Sequence, residues 1–151
     1  MHTILCPTRG GERSYPNQDW AIALAKERGA DLIFLYINDV KFLKQASTPA
    51  LFDLANDLDE MGEFLLSMAK ERADQAGVEA QTQVRRGVFE EILRTAIPEF
   101  QVKTLVLGSS DDDKGHTSNK YLLEFSASLA EELGVEVVVL KEGEVLETIP
   151  A

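Results

Sequence analysis

The sequence predicts an α/β protein in which a parallel sheet is covered on both faces by helices. Short apolar runs alternate with segments of helical periodicity along the chain, and Gly or Pro marks many of the boundaries between them. Because parallel strands need long crossover connections, this alternation favours a three-layer, doubly wound, Rossmann-like sheet of five strands. The 151 residues contain no linker or internal repeat, so we expect a single domain over residues 1–151.

The first half of the chain contains two predicted strands and two predicted helices. The apolar run His2–Cys6 predicts a buried strand, and a helix follows over Asn17–Arg28, where Pro16 suits the first turn. Asp31–Ile37 predicts a second buried strand. Apolar residues at spacings of three and four then predict a long helix over Ala50–Ala76.

The second half continues the pattern with three strands and two helices. Apolar and polar residues alternate over Val78–Arg85, which predicts a half-exposed strand at an edge of the sheet. A short helix is predicted over Val88–Ile97, and the apolar run Val102–Leu107 predicts the fourth strand. A helix over Ser118–Leu133 and a final strand over Val135–Leu140 complete the series.

Composition excludes several classes of partner. The chain has 26 acidic and 15 basic residues, for a net charge of −11, and Arg85-Arg86 is its only adjacent basic pair. Neither nucleic acid nor an anionic membrane is therefore expected to bind. No apolar run approaches the roughly 20 residues of a membrane span, and no signal peptide is visible. The single cysteine, Cys6, reads as a small core residue rather than a reactive thiol, and its lack of a disulfide partner predicts a cytoplasmic protein.

Local motifs add a resemblance to a known family. Ile4–Thr8 is similar to an opening strand of the pattern I-L-[VY]-P-[VT], and Leu105–Ser109 is similar to a fourth strand L-I-V-M-G-S. Further matching segments are Arg9–Ala30, Phe34–Ile37, Arg86–Leu93 and Val137–Val139. Over nearly its whole length the chain thus resembles the universal stress protein family. The resemblance implies an adenine nucleotide alpha hydrolase-like fold with strand order 3-2-1-4-5.

The resemblance also implies a nucleotide site from which this chain departs. Family members that bind ATP carry G-x2-G-x9-G-[ST] after the fourth strand and an acidic residue after the first. Here the acidic position is Arg9, and Gly108 is followed three residues later by Asp111 rather than glycine. The final Gly-Ser pair falls at Phe125-Ser126, where a bulky ring replaces the residue that lets the backbone approach a phosphate.

Charge indicates that ordinary ATP binding is weakened or lost. The three carboxylates of Asp111–Asp113 would repel a triphosphate unless Mg2+ intervened, and Arg9 and Lys114 offset only part of this. The alternative is an altered pocket that still binds ATP or AMP. Its candidate residues are Pro7, Thr8, Arg9, Ile37, Gly108, Ser109 and Ser126.

Three other features have competing interpretations. Arg9 is expected to pair with Asp111 or a neighbouring acid, and the alternative is a grip on an anionic ligand. Asp111–Asp113 reads as a solvated loop tip rather than a Mg2+ or Ca2+ site, because its spacing is not that of a cation-binding loop. His116 reads as a surface residue, and no metal site or catalytic residue is predicted.

The end of the chain bears on assembly. The last predicted strand, Val135–Leu140, is rich in branched apolar residues and is expected to be an uncovered edge, which can pair with another chain. Universal stress proteins commonly dimerise through their last strands, so the resemblance implies a homodimer.

The leading hypothesis is a non-catalytic regulatory or stress-related protein that acts through protein contacts or a weakly bound ligand. A nucleotide-binding switch and a small α/β enzyme are the alternatives, and the enzyme lacks an evident base or nucleophile.

Overall fold

A single sheet lies between two layers of helices. The computed structural model describes residues 2–39, 49–109 and 119–151. The strands are β1 (Thr3–Pro7), β2 (Asp31–Asn38), β3 (Ala80–Arg86), β4 (Thr104–Gly108), β5 (Glu136–Lys141) and β6 (Glu144–Ile149). The helices are α1 (Tyr15–Arg28), α2 (Pro49–Gln75), α3 (Phe89–Glu99) and α4 (Asn119–Leu133), and a 3-10 turn covers Glu12–Ser14.

The strand order is β3-β2-β1-β4-β5-β6. The first five strands are parallel and follow the predicted order 3-2-1-4-5, with β1 hydrogen-bonded between β2 and β4. In that register Leu5 lies beside Ile33 on one side and Leu105 on the other. The predicted ends of the five strands and four helices lie within two residues of the observed ends. The sequence prediction of an α/β, doubly wound sheet is confirmed.

Alternating side chains divide the core into two layers. From β1, Ile4 points to the layer that contains Ile22 of α1 and Leu66 of α2. Its neighbour Leu5 points the other way, to the layer that contains Leu93 of α3 and several residues of α4. This alternation follows from the two-residue period of a strand, and it explains why a strand buried on both faces reads as a continuous apolar run.

The sheet ends in a strand that the sequence analysis did not predict. The polar tail folds back as β6 and pairs antiparallel with β5, so that Val138 lies opposite Thr148. Glu142 and Gly143 form the two-residue turn, and both have positive φ (51° and 83°), which is the geometry of a tight hairpin. The expectation that Val135–Leu140 is an uncovered edge is therefore wrong, because β6 occupies that edge. Within the described ranges the edge strands are β3, as predicted, and β6.

No helix of the described ranges combines the length and the apolar character needed to cross a membrane.

A polar cluster joins neighbouring strands at their amino-terminal ends. The hydroxyl of Thr104, which is fully buried, donates to Glu136 Oε1 at 2.9 Å and accepts from Arg28 Nη1 at 3.1 Å. Arg28 also reaches Glu136 Oε1 at 3.1 Å, and His2 Nε2 lies 3.0 Å from the same hydroxyl. Burial raises the pKa of Glu136, but the hydrogen bonds from Thr104 and Arg28 outweigh burial and hold the pKa below its ordinary value of 4.5.

The lowered pKa of Glu136 predicts a loss of stability in acid. A carboxylate whose pKa is lower in the folded state contributes stability that is complete above its unfolded pKa and is lost as the pH falls through the folded value. We expect Glu136→Gln to lose less of its free energy of unfolding than the parent protein when urea denaturation is compared at pH 7 and at pH 3.5. Glu144→Gln, at an exposed position of β6, serves as the control. If Glu136→Gln loses as much free energy of unfolding between pH 7 and pH 3.5 as the parent protein, the lowered pKa of Glu136 is not a source of the acid sensitivity.

Candidate functional site

A cleft of about 580 Å³ opens where β1, β2 and β4 end. The segment from β1 into α1 contributes Pro7, Thr8, Arg9, Arg13, Ser14, Asn17 and Gln18 to its lining. β2 and the residue after it contribute Leu35, Tyr36, Ile37 and Asp39, and Phe89, Gly108, Ser109 and Leu122 lie opposite. The cleft has this position because α1 leaves β1 toward one face of the sheet and α4 packs on the other, so the connections diverge between β1 and β4.

Thr8 fixes the end of β1. Its backbone N–H donates to the carbonyl of Leu35 at 2.8 Å, which continues the pairing of β1 with β2 by one residue. Its hydroxyl oxygen accepts from the backbone N–H of Gly10 at 3.1 Å and from Gln18 Nε2 at 3.0 Å. Gln18 is buried, so this bond anchors the loop after β1 to the first turns of α1.

The loop after β1 depends on the small size of Gly10. Gly10 has a φ of +73°, a conformation that side chains rarely adopt. A Cβ added there would lie 2.5 Å from the Cβ of Leu65 on α2, well inside van der Waals contact. The carbonyl of Gly10 accepts from the hydroxyl of Ser14 at 2.8 Å. The loop is thus held against α2 on one side and against the start of α1 on the other.

Two arginines stand at the cleft without carboxylate partners in the described ranges. Arg9 and Arg13 both line the cleft and both are exposed. The expected pairing of Arg9 with a neighbouring acid is not found among the described residues, and Asp111 lies outside them. Of these two arginines, only Arg9 was predicted as a site residue. Arg13 was missed because a charged residue in a short loop gives no signal of its own.

Asn17 connects the cleft to the far edge of the sheet. Its Oδ1 accepts from the backbone N–H of Gly143, in the β5–β6 turn, at 2.8 Å. Its Nδ2 occupies the space that a side chain at Gly108 would need, since a Cβ there would lie 2.7 Å from it. On the same side, the backbone N–H of Ser109 donates to the carbonyl of Leu140 at 2.7 Å. The end of β4 is therefore packed against α1 and bonded to β5.

The opposite wall of the cleft is braced by a polar chain. Ile37 lines the cleft, and the next residue, Asn38, turns away from it and is buried. Asn38 Nδ2 donates to Asp59 Oδ1 at 2.8 Å, and Asp59 Oδ2 accepts from Arg86 Nε at 2.7 Å. Because Asp59 belongs to α2 and Arg86 to β3, this chain joins three elements behind the wall.

Six of the seven predicted site residues meet in the cleft. Pro7, Thr8, Arg9, Ile37, Gly108 and Ser109 all line it. Ser126 does not. It lies on the buried side of α4 with no accessible surface and no hydrogen-bond partner for its Oγ in the described structure. The preceding Phe125 packs in the core, with its ring centroid 5.8 Å from that of Phe89 and 5.9 Å from that of Tyr121.

Cys6 borders the inner end of the cleft and is a core residue. Its side chain is 2% exposed, and it packs in the layer shared with α1 and α2. Burial raises the pKa of the Cys6 thiol to about 12, so the thiolate is not formed near neutral pH. This agrees with the interpretation of Cys6 as a small apolar residue.

The acidic loop lies outside the described residues. That segment, residues 110–118, contains Asp111–Asp113, Lys114, Gly115 and His116. The competing interpretations of the three aspartates and of His116 therefore stay predictions. Within the part of the chain that the structure does describe, no group of three His, Cys, Asp or Glu side chains is arranged to hold a metal ion.

Comparison with known proteins identifies the family. The sequence model of the Universal stress protein family matches residues 1–141. The chain belongs to the universal stress protein family. No protein with a curated description matches its sequence.

Solved structures of other universal stress proteins share the fold. UspA from Lactobacillus plantarum superposes with a TM-score of 0.73 at 16% identity, covering 92% of this chain and 97% of its own. A universal stress protein in complex with cAMP gives a TM-score of 0.64 at 20% identity, covering 92% and 96%. An Arabidopsis thaliana family protein with AMP bound gives 0.57 at 13% identity, covering 93% and 92%. At these identities the likeness establishes the fold of the chain.

Paired glycine substitutions test how the loop after β1 is held. Gly10→Ala should lower the free energy of unfolding by about 2–4 kcal/mol, because the new methyl meets both the positive φ and Leu65. Gly11→Ala is the matched control. Gly11 has a similar φ of +76° but nothing within 4 Å of an added Cβ, so it should cost only about 1 kcal/mol. Urea denaturation measures both, and equal losses would show that Leu65 does not confine the loop.

Proposed function

We propose that this universal stress protein is a non-catalytic regulatory protein whose cleft binds a nucleotide with a single phosphate more readily than ATP. The observation that carries the proposal is the 580 Å³ cleft at the ends of β1, β2 and β4, with Arg9 and Arg13 at its edge. A volume of this size falls within the range of about 300–1,000 Å³ that is usual for small-ligand sites. The proposal therefore combines two features: a ligand cleft is present, and the segment after β4 departs from the family's ATP-binding pattern.

The choice of a nucleotide is supported by the family. Two structural neighbours are described with cAMP and with AMP bound, and both share the fold over more than nine-tenths of this chain. The cleft of this chain occupies the place where a sheet of this topology receives ligands. Apolar walls from Ile37 and Phe89 suit a flat base, and the polar segment after β1 suits a sugar or phosphate.

Weak binding of ATP is supported by the region after β4. Where the family pattern has its final Gly-Ser pair, Phe125 and Ser126 are packed into the core and offer nothing to a phosphate chain. The three aspartates at 111–113 add negative charge to the connection that follows Gly108. Two unit charges about 4 Å apart interact by about 4 kcal/mol at an effective dielectric near 20. Because a triphosphate carries more negative charge, the aspartates repel it more strongly than they repel a monophosphate.

The non-catalytic part of the proposal is supported by the groups near the cleft. Burial raises the pKa of the Cys6 thiol, which removes the nearest sulfur nucleophile. The phenol of Tyr121 donates to Glu90, and burial together with that carboxylate raises its pKa. The Tyr121 phenol therefore keeps its proton near neutral pH, where it is not available as a general base.

Calorimetric titration with AMP and with ATP tests the proposed ligand. We expect AMP to bind at one site per chain, and ATP to bind at least about tenfold more weakly, a difference of 1.4 kcal/mol. Mg2+ should improve ATP binding, because it offsets part of the repulsion from the aspartates. Saturating heat with ATP at micromolar affinity, equal to or tighter than AMP, would overturn the weakened-ATP proposal. Absence of heat with either nucleotide would leave a role through protein contacts alone.

The same proposal includes a homodimer, with its contact surface revised. Because β6 covers β5, the free backbone edge on this side of the sheet is β6, and its Val145 and Leu146 are 49% and 39% exposed. An edge strand with exposed apolar side chains is a template for a second strand. We propose that two copies meet along β6 in a two-fold arrangement.

Light scattering after size-exclusion chromatography tests the β6 contact. We expect the parent protein to be a dimer, and the double variant Val145→Glu, Leu146→Glu to be a monomer, because like charges would face each other along the shared edge. Phe64→Glu is the control, since it removes an apolar side chain that is 64% exposed on α2, away from β6. A parent monomer, or a dimer lost only in the control, would overturn the β6 assignment.

A further inference from the structure

The arginines of this chain divide into two groups. The sequence contains seven arginines. Five of them, at positions 28, 72, 85, 86 and 94, form ion pairs with carboxylates at 2.5–3.1 Å. The remaining two, Arg9 and Arg13, have no such pair in the described ranges, and these are the two that line the cleft. Among the described residues, the arginines without a carboxylate partner are thus the two that line the cleft, where their guanidinium groups can meet a ligand.

Neighbouring groups in the same wall also present donors. Asn17 Oδ1 is engaged by the backbone N–H of Gly143, which turns Nδ2 toward Gly108 at the base of the cleft. A carboxamide nitrogen is a donor only. The hydroxyl oxygen of Thr8 already accepts two hydrogen bonds, so the hydroxyl can still donate one through its hydrogen. A wall built of donors is complementary to a ligand group built of acceptors.

The negative net charge of the protein restricts the places where an anionic ligand can bind. At a net charge of −11 the protein repels anions at long range, so an anion binds only where fixed cations and donors meet it directly. The acid that also lines the cleft, Asp39, follows β2, and it has an interaction of its own. The segment from β1 into α1, which contributes Arg9 and Arg13, adds no carboxylate to the described lining of the cleft.

We propose that the wall formed by Thr8, Arg9, Arg13 and Asn17 binds the phosphate of a phosphomonoester ligand. This rests on the proposed function and specifies which part of the cleft recognises the charge. A phosphomonoester carries close to two negative charges at neutral pH and three acceptor oxygens, and guanidinium groups match that geometry with paired N–H donors. The loop after β1, fixed by Thr8, sets the position of the first arginine.

Calorimetry with three probes tests this wall: AMP, which has base and phosphate; adenosine, which lacks the phosphate; and ribose 5-phosphate, which lacks the base. The variants are Arg9→Gln, Arg13→Gln and the double substitution. Lys26→Gln is the matched control, since it removes one positive charge from an exposed position of α1 outside the cleft. Arg9→Lys tests whether the paired donors of arginine matter beyond its charge.

We expect AMP to bind more tightly than adenosine, and each arginine substitution to weaken AMP binding about tenfold while leaving adenosine binding unchanged. Lys26→Gln should leave the affinity for AMP unchanged, and added salt should weaken AMP more than adenosine. Arg9→Lys should restore only part of the loss.

Three results would separate this inference from the proposed function. Equal binding of AMP and adenosine, or unchanged AMP affinity in the arginine variants, would overturn the phosphate wall while the nucleotide function stands. Arginine-dependent binding of ribose 5-phosphate without binding of AMP would support the wall and overturn the nucleotide function. Absence of binding by all three probes would overturn both.

Discussion

The chain winds outward from β1 in two directions, and the position of the cleft depends on this. β2 and β3 follow on one side of β1 with α1 and α2 on one face, whereas β4 and β5 follow on the other side with α3 and α4 on the opposite face. Two neighbouring strands whose connections leave in opposite directions cannot close the space above their ends. The residues at its centre come from the two strand ends that border this gap: Pro7, Thr8 and Arg9 follow β1, and Gly108 and Ser109 follow β4.

Rigidity in the walls of the gap comes from short polar contacts behind it. Thr8 joins the end of β1 to β2 and α1, Asn38 joins the end of β2 to α2, and Asn17 joins α1 to the β5–β6 turn. None of these contacts uses Arg9 or Arg13. Within the described residues, these contacts hold the walls without the two charges, which is compatible with the ligand role proposed for Arg9 and Arg13.

Much of the fold could be predicted because its signals are local. Buried parallel strands read as apolar runs, and α2 carries its periodicity over 27 residues, so both were recognised with ends correct to within two residues. β6 was missed because five of its six residues are exposed and its turn uses Glu142-Gly143, a weaker hairpin signal than Asn-Gly or Asp-Gly. β6 forms because the sheet leaves one edge of β5 unpaired, and that edge exists only once the sheet has assembled.

The lining of the candidate site could be predicted only where it depends on the ends of strands. Pro7, Thr8, Arg9, Gly108 and Ser109 follow directly from the carboxyl ends of β1 and β4, and Ile37 from that of β2. Ser126 was assigned by matching a spacing in the family pattern. Its actual position depends on how α4 is rotated about its axis, and the apolar residues at 122, 125 and 129 turn that face into the core. Asn17 was missed because its role depends on Gly143, a residue distant in sequence.

The side chain of Asn17 has a thermodynamic consequence for the molecule as a whole. One amide spans the base of the cleft and the turn that holds the edge strand, so the two regions share a single hydrogen bond. A ligand that shifts this amide changes the free energy of the turn, and a strand added at the edge that shifts the turn changes the free energy of the ligand by the same amount. Under the ligand site and the β6 contact proposed above, occupancy of the cleft and association of the chain would therefore be thermodynamically linked.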